Sequence, residues 1–499
     1  MNLAKIRVIF SSLVFIMFLL LFLGGEKLSN YLFSLLLPLQ FVPALVHVFA
    51  KPEVLFIVGL IILIGLSLIF GRAYCSFLCP LGILQDILIA VSRKIGLSRH
   101  HSFQKPMNWL RYPILLLTLV TAVSGMMALL NLLDPFSFFG RTITHLFEPL
   151  SVWLYNVTVN ILKHFDIYVF NRKLHYIPFS IFGVTLGFFL LIAAMSFRCG
   201  RLYCNTLCPI GALLGLISKI SVFKLSINEE HCSACGCCEN VCKAGCIDTE
   251  EITIDQSRCI NCFNCLEVCP KSLLTYRPFW KMTEQNRWSP ARRGFLIGSV
   301  TAAGSILLLL NSSIRSLFSA TSSKDKVPIT PPGSGGLVHF TNTCTACHLC
   351  ISACPTKVIT PAFLEYGVAG LMQPLMNYQE SYCDYECNTC GKICPTGAIK
   401  PLLLPEKKIT QIGTAELKKE RCIVYVNNRN CGACGEVCPT QTISFANKNN
   451  ILYPQTDIRY CIGCGACEKV CPTEPKAIII QSNPIHKRAI RFSAPRQGV

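Results

Sequence analysis

The chain has 499 residues, a mean hydropathy of +0.47, a formal net charge of +19 and 31 cysteines. The cysteine spacing argues against a small disulfide scaffold, and no basic stripe with interleaved aromatics supports nucleic-acid binding. Cubane clusters bound by thiolates carry roughly −2 each, so six of them would offset about 12 of the positive charges.

Long apolar runs lie almost entirely before residue 200, with one more after 294. Segments 8–24, 54–70, 110–133 and 177–197 approach the roughly 20 residues needed to cross a bilayer and hold hardly a charge. Segment 294–314 is a fifth candidate. Between the first two, "LSNYLFSLLLPLQFVPALVHVFA" is broken by Pro38 and Pro43 and reads as an interfacial or re-entrant helix pair. Lys5 and Arg7 precede the first span; Arg72, Arg93, Lys94, Arg99 and Lys105 follow the second; Arg198, Arg201, Lys219 and Lys224 follow the fourth. The positive-inside rule therefore places these positions in the cytoplasm and loops 25–53 and 134–176 outside.

Two stretches repeat one frame: "GRAYCSFLCPLG" from Gly71 and "GRLYCNTLCPIG" from Gly200. Each follows directly on an apolar run, and both fall at the same predicted membrane face. Cys75, Cys79, Cys204 and Cys208 add up to four thiols, the ligand number of one cluster, with each pair a helical turn apart. A shared metal or cluster site, thiol–disulfide redox pairs and a structural repeat from duplication all remain open.

Residues 222–275 are polar and contain "CSACGCCENVC" and "CINCFNCLEVCP", the spacing of a two-cluster bacterial ferredoxin. In such units the fourth cysteine of each motif ligates the other cluster. Cys232, Cys235 and Cys238 are thus expected to join Cys269, and Cys259, Cys262 and Cys265 to join Cys242. Cys237 and Cys246 are left over as structural cysteines. "SPARRGFLIGSVTAAGSILLLL" then has the pattern of a twin-arginine export signal, the alternative being ordinary anchoring of the fifth span. No small-residue cleavage site stands out after it, so residues 285–320 read as a retained signal/anchor helix, and residues 321–336 as a linker.

Residues 337–499 hold four further groups, each followed by proline: Cys344, Cys347, Cys350, Cys354; Cys383, Cys387, Cys390, Cys394; Cys422, Cys431, Cys434, Cys438; and Cys461, Cys464, Cys467, Cys471. Sixteen ligands make four clusters. "CTACH" at Cys344–His348 fits a haem-attachment signature, but Cys350, Cys354 and Pro355 complete a cluster motif, and no haem is expected.

With these motifs in place, residues 1–280 resemble the NapH/NosR-type membrane ferredoxin proteins, through the two C-x3-C-P motifs and the ferredoxin unit behind them. Residues 285–499 resemble the NapG/MauM-type polyferredoxins, through the twin-arginine start and four cluster motifs. The two parts are usually separate subunits, so a fusion is a departure. The resemblance implies an α-helical membrane domain of about five transmembrane helices (residues 1–221, plus the later anchor) and two α+β bacterial-ferredoxin-like domains. One holds two clusters at the cytoplasmic face, and the other four in the periplasm of an inner-membrane protein. It also implies that motif one of the four-cluster domain exchanges its last ligand with motif four, and motif two with motif three. Cys471 would then complete Cys344, Cys347 and Cys350, and Cys354 would complete Cys461, Cys464 and Cys467.

The expected function is electron transfer between the membrane quinone pool and a periplasmic cytochrome or reductase, within a multi-subunit complex, with quinol oxidation favoured. Two rivals stand beside it: a conduit from a cytoplasmic low-potential ferredoxin, and a maturation or regulatory protein for a periplasmic metalloenzyme. A quinol site needs a proton acceptor near the interface. His47, Asp134, His145 and Glu148 are the outward-side candidates. No flavin-attachment threonine motif, P-loop or molybdenum-binding domain is evident.

Overall fold

A computed structural model describes residues 3–24, 26–96, 102–228, 231–281 and 327–491. The Arg292–Arg293 pair, segment 294–314 and the first half of the expected linker lie outside them. The described residues fall in two compact units. The first gathers those of Met1–Gly24, Tyr31–Thr142 and Gly183–Ser319; the second gathers those of Gly25–Asn30, Ile143–Phe182 and Ala320–Val499.

Two helices, Leu3–Leu23 and Phe179–Cys199, are long and apolar enough to cross a membrane. The proline-broken stretch folds as Leu28–Leu39 and Phe41–Ala50, bent by 91° where Gln40 turns extended. That is the geometry of a re-entrant pair or of one broken span. Val54–Phe70 is apolar but only 17 residues long. The segment read as one span over 110–133 divides into Asn108–Val123 and Ala128–Leu133. Gly125, left-handed at φ +83°, causes the break. Its N–H bonds the Ala122 carbonyl, and the Met126 N–H reaches the Thr121 carbonyl at 2.8 Å, a Schellman ending that satisfies the last carbonyls.

The core of the first unit includes Phe18, Phe22, Phe136 and Phe139, whose rings meet edge-on or tilted at 6.0–6.2 Å. Each repeated stretch leaves its apolar helix through a left-handed glycine, Gly71 or Gly200. A one-turn helix follows (Tyr74–Phe77; Leu202–Thr206), and then a longer one (Pro80–Lys94; Pro209–Ser218). Cys79 and Cys208 are the N-caps of the longer helices, their sulfurs accepting from the Gly82 and Gly211 N–H groups. Proline at the first helical position needs no N–H there. The ferredoxin part pairs Phe223–Ile227 with Leu274–Pro278, antiparallel, and Ile247–Asp248 with Thr253–Ile254.

In the second unit, Glu148–Lys163 forms a helix entered through a π-helical turn at Ile143–Phe147. The remainder is short antiparallel pairs: Ile359–Pro361 with Pro374–Met376, Ile443–Lys448 with Ile451–Thr456, and Thr410–Leu417 with Ile478–Arg488. Residues 328–336, inside the stretch read as a linker, pack into this unit. Ile329, Thr330 and Ser334 are buried, and the Ile329 and Gly333 carbonyls accept from Met376 and Lys400 N–H groups at 2.9 Å.

Candidate iron–sulfur centres

Among the described residues, no three Cys, His, Asp or Glu side chains crowd one point as a lone metal ion requires. The cysteines instead line cavities in fours, which is the demand of a cubane with one thiolate at each iron. Cys232, Cys235, Cys238 and Cys269 line one cavity, with Cys237 at its edge. Cys259, Cys262, Cys265 and Cys242 line a second, beside Cys246. Cys269 thus lies with the cysteines of the first motif, and Cys242 with those of the second.

The four-cluster domain pairs its motifs differently from the expectation. Cys422, Cys431 and Cys434 share a cavity with Cys471. Cys461, Cys464 and Cys467 share one with Cys438. Cys344 and Cys350 lie within electrostatic reach of Cys394, and Cys383 and Cys390 within reach of Cys354. Exchange is thus between motifs one and two and between three and four, not one with four and two with three. The reason is local: the hairpin Ile443–Lys448/Ile451–Thr456 and the pair Ile359–Pro361/Pro374–Met376 fold each adjacent couple of motifs together.

Backbone shape explains why these loops suit an anionic cluster. In four of the six motifs the residues on either side of the second cysteine are left-handed: Ala234 and Gly236, Asn261 and Phe263, Ala346 and His348, Gly463 and Gly465. Such turns aim successive N–H groups into one concavity. Non-glycine residues hold this conformation only where the surroundings impose it.

The repeated stretches converge. Cys75, Cys79, Cys204 and Cys208 are all buried, and each of the last three feels the charge of its fellows. Burial pushes the Cys204 thiol up to about 11 although Arg201 and Arg72 pull it down. The arginines cross over between the copies. Arg72 donates to the Cys204 carbonyl at 3.0 Å, and Arg201 to the Cys75 carbonyl at 2.6 Å. A Cβ on Gly82 would strike the Cys75 carbonyl and Arg201, and one on Gly211 would strike the Cys204 carbonyl and Arg72. Both glycines are thus required by close approach. Asp86 answers the charge: it pairs with Arg7 at 2.6 Å, Arg201 at 3.0 Å and Lys243 at 3.3 Å. Burial would raise its carboxyl, but Arg201, Lys243 and Arg7 hold it well below the usual carboxylate range.

The quartet is also wired to the ferredoxin part of the same unit. Asn205 donates to the Ala244 carbonyl at 2.9 Å and the Arg201 N–H to the Lys243 carbonyl at 2.8 Å, both just after Cys242. Arg72 reaches the Ser257 carbonyl at 3.1 Å, two residues before Cys259. The four thiols have the donor chemistry of a thiolate-bound cluster, and the two arginines would offset its negative charge.

The four quinol-site candidates separate. His47 stacks on Phe56 at 3.8 Å and faces Glu53, while Asp134 accepts the Ser137 N–H as a helix cap. His145 and Glu148 lie in the second unit among partners that spacing did not reveal. His145 Nε2 is 2.9 Å from His348 Nδ1, and His348 Nε2 is 2.7 Å from the Met372 carbonyl. Glu148 Oε1 is 3.1 Å from His175 Nε2 and accepts from Lys357 Nζ at 3.3 Å. His175 shows in the sequence as a polar residue before an apolar run, Lys357 as a lysine after a Cys-Pro, and His348 as the histidine of a C-x-x-C-H signature.

These geometries define a chain carrying several 4Fe-4S domains. A family model described as a 4Fe-4S binding domain matches residues 53–98 and again 181–228, one match on each repeated stretch. A 4Fe-4S dicluster domain matches 421–474, and 4Fe-4S binding domains match 251–274 and 337–360. Among similar proteins, an uncharacterized protein of Methanocaldococcus jannaschii, MJ0749, is 25% identical over 46% of this chain and 74% of its own length. YccM of Escherichia coli, whose name assigns it to electron transport, is 29% identical over 44% of this chain and 54% of its own. The ferredoxin-type protein NapH of Haemophilus influenzae is 26% identical over 45% and 69%. The homologues are thus NapH- and YccM-type ferredoxin proteins, each aligned over less than half of this chain.

Proposed function

We propose that the chain is a membrane-anchored iron–sulfur conduit that oxidises quinol and passes the electrons outward through cubane clusters to a periplasmic cytochrome or reductase. The observation that carries this reading is the composition of the second unit: segment Ile143–Phe182, which takes in most of the loop 134–176 expected outside, clusters with the four-cluster domain. Quinol oxidised at the outer face would then meet the outer clusters directly. The 24 ferredoxin cysteines supply ligands for six clusters, and Cys75, Cys79, Cys204 and Cys208 for a seventh. When bound, the clusters accept and release single electrons; the protein's part is to space them and set their potentials.

A second reading is favoured by the bonds that tie the quartet to the Cys242 loop. There, a cytoplasmic ferredoxin reduces the two inner clusters and the quartet carries electrons toward the membrane. Iron content and reductant choice test both. Seven cubanes mean about 28 iron atoms per chain and six about 24, at four per cubane. Quinol that bleaches cluster absorbance in the purified protein supports quinol oxidation. No response to quinol, with fast reduction by a ferredoxin, replaces it with the second reading.

A further inference from the structure

We propose that the quinol headgroup binds in the second unit at Glu148 and His175, beside the cluster held by Cys344, Cys347, Cys350 and Cys394, and that Glu148 takes its protons. This rests on the quinol reading above and adds the site, the proton acceptor and the first electron acceptor.

Buried Glu148 and His175 form a triad with half-buried Lys357, whose Nζ is 2.7 Å from His175 Nε2 and also donates to the Ser352 carbonyl at 3.0 Å. Ser352 ends the short helix Leu349–Ser352, which carries Cys350. Two polar atoms of the triad, Glu148 Oε2 and His175 Nδ1, are buried with no protein partner. Their side chains are only 9% and 2% exposed. An orphaned buried acceptor and an orphaned imidazole nitrogen each leave a desolvation penalty uncompensated. A ring bearing hydroxyls would satisfy both: one O–H donates to Glu148 Oε2, and the ring oxygen accepts from His175 Nδ1–H. A purely structural ion pair would not leave these atoms bare, and buried pairs are in any case weak stabilisers. Burial lowers the His175 pKa, with Lys357 adding to the effect against Glu148, so the ring stays neutral and able to present Nδ1–H.

The surroundings fit the rest of such a molecule. The helix that Glu148 begins exposes Leu150, Trp153 and Leu154 by more than half, an apolar surface for a hydrocarbon tail. One turn before Glu148, His145 bonds His348, which lies between Cys347 and Cys350. A short bonded path therefore joins the triad to a cluster loop. One quinol becomes one quinone, two protons and two electrons. A cluster held by Cys344, Cys347, Cys350 and Cys394 would take up the two electrons one at a time; each proton passes in turn to the Glu148 carboxylate and out to water.

The test uses the full chain in lipid nanodiscs, with an azido-quinone photolabel and with quinol as reductant. The label is expected on the peptides containing Glu148 and His175. Glu148→Gln and His175→Gln are expected to lose the label, and Glu148→Gln to slow quinol-driven bleaching on the order of 100-fold. Dithionite should still reduce every cluster in both variants, with iron content unchanged. Label mapping elsewhere, or variants that bind and oxidise quinol at the wild-type rate, overturns the site and leaves the quinol reading intact. Wild-type clusters that ignore quinol overturn both. If a variant loses iron, the label map on the wild type alone decides.

Discussion

At Cys75, Cys79, Cys204 and Cys208 each hairpin supplies two thiols and an arginine, whereas at Cys461, Cys464 and Cys467 one uncharged loop supplies three thiols by itself. The quartet is brought together by segments far apart in the chain, so its packing must exist before its ligands can meet. Its charges are buried and answered at a distance by Asp86. The ferredoxin loops use left-handed turns such as Gly463 and Gly465 and carry their N–H groups with them. One kind of site depends on a charged scaffold, the other on local backbone shape. The two should fail separately.

The sharpest way to separate them is Asp86→Asn. It leaves Arg7, Arg201 and Lys243 buried without their shared counter-charge, and removing one partner of a buried pair costs about 3–5 kcal/mol. Thermal melts should drop accordingly, and iron should fall by the quartet's share while the second unit keeps its own. Glu386→Gln removes the exposed partner of Lys408 in the second unit and should cost less than about 1 kcal/mol. Equal losses in the two variants would erase the proposed contrast.

A smaller effect is expected from Gly211→Ala. Its Cβ would meet the Cys204 carbonyl and Arg72, and forcing a methyl into packed space costs typically about 1–3 kcal/mol. The quartet's iron should become labile to chelator, with the ferredoxin clusters unaffected. Retention of all iron with an unchanged melt would show that the hairpins tolerate a wider gap and do not depend on close approach.

The two sites also differ in how far the sequence reveals them. The quartet was legible because its frame is written twice, down to the glycines, but Asp86 was not, since nothing in a single carboxylate on an apolar helix announces three basic partners. Four of the six cluster triplets were legible from C-x2-C-x2-C, while Cys383, Cys387, Cys390 and Cys422, Cys431, Cys434 depart from it in their first gap. Which fourth cysteine completes each was not, because every Cys-Pro suits any triplet, and adjacent pairing is decided by hairpins such as Ile443–Lys448/Ile451–Thr456. The break at Gly125 was hidden by an unbroken apolar run. His175 and Lys357 carry no spacing signal, and the C-x-x-C-H spacing at His348 points to haem rather than to His145, because the partners lie in distant segments.

The last expected effect concerns pH, and it falls on the second unit. His486 bonds Thr330 at 2.9 Å in the segment packed behind Gly333, and burial lowers it from 6.5 to about 4. A histidine held neutral binds fewer protons folded than unfolded. Its contribution is therefore fully present above about 6.5, the unfolded value, and is lost as pH falls toward about 4. Each pH unit of that window is worth at most about 1.4 kcal/mol, and partial exposure trims the total to roughly 2 kcal/mol. Asp86, held well below the usual range, keeps its contribution across the same window and loses it only as pH falls lower still. Thermal loss of structure in the full chain, followed by hydrogen exchange in each unit, should therefore show the second unit softening first between pH 6.5 and about 4. His486→Gln should reduce that dependence, leaving the part due to His175, whose pKa burial also lowers. A first unit that softens over the same window, or a variant that keeps the second unit's acid sensitivity in full, would mean that buried charge does not divide the molecule in this way.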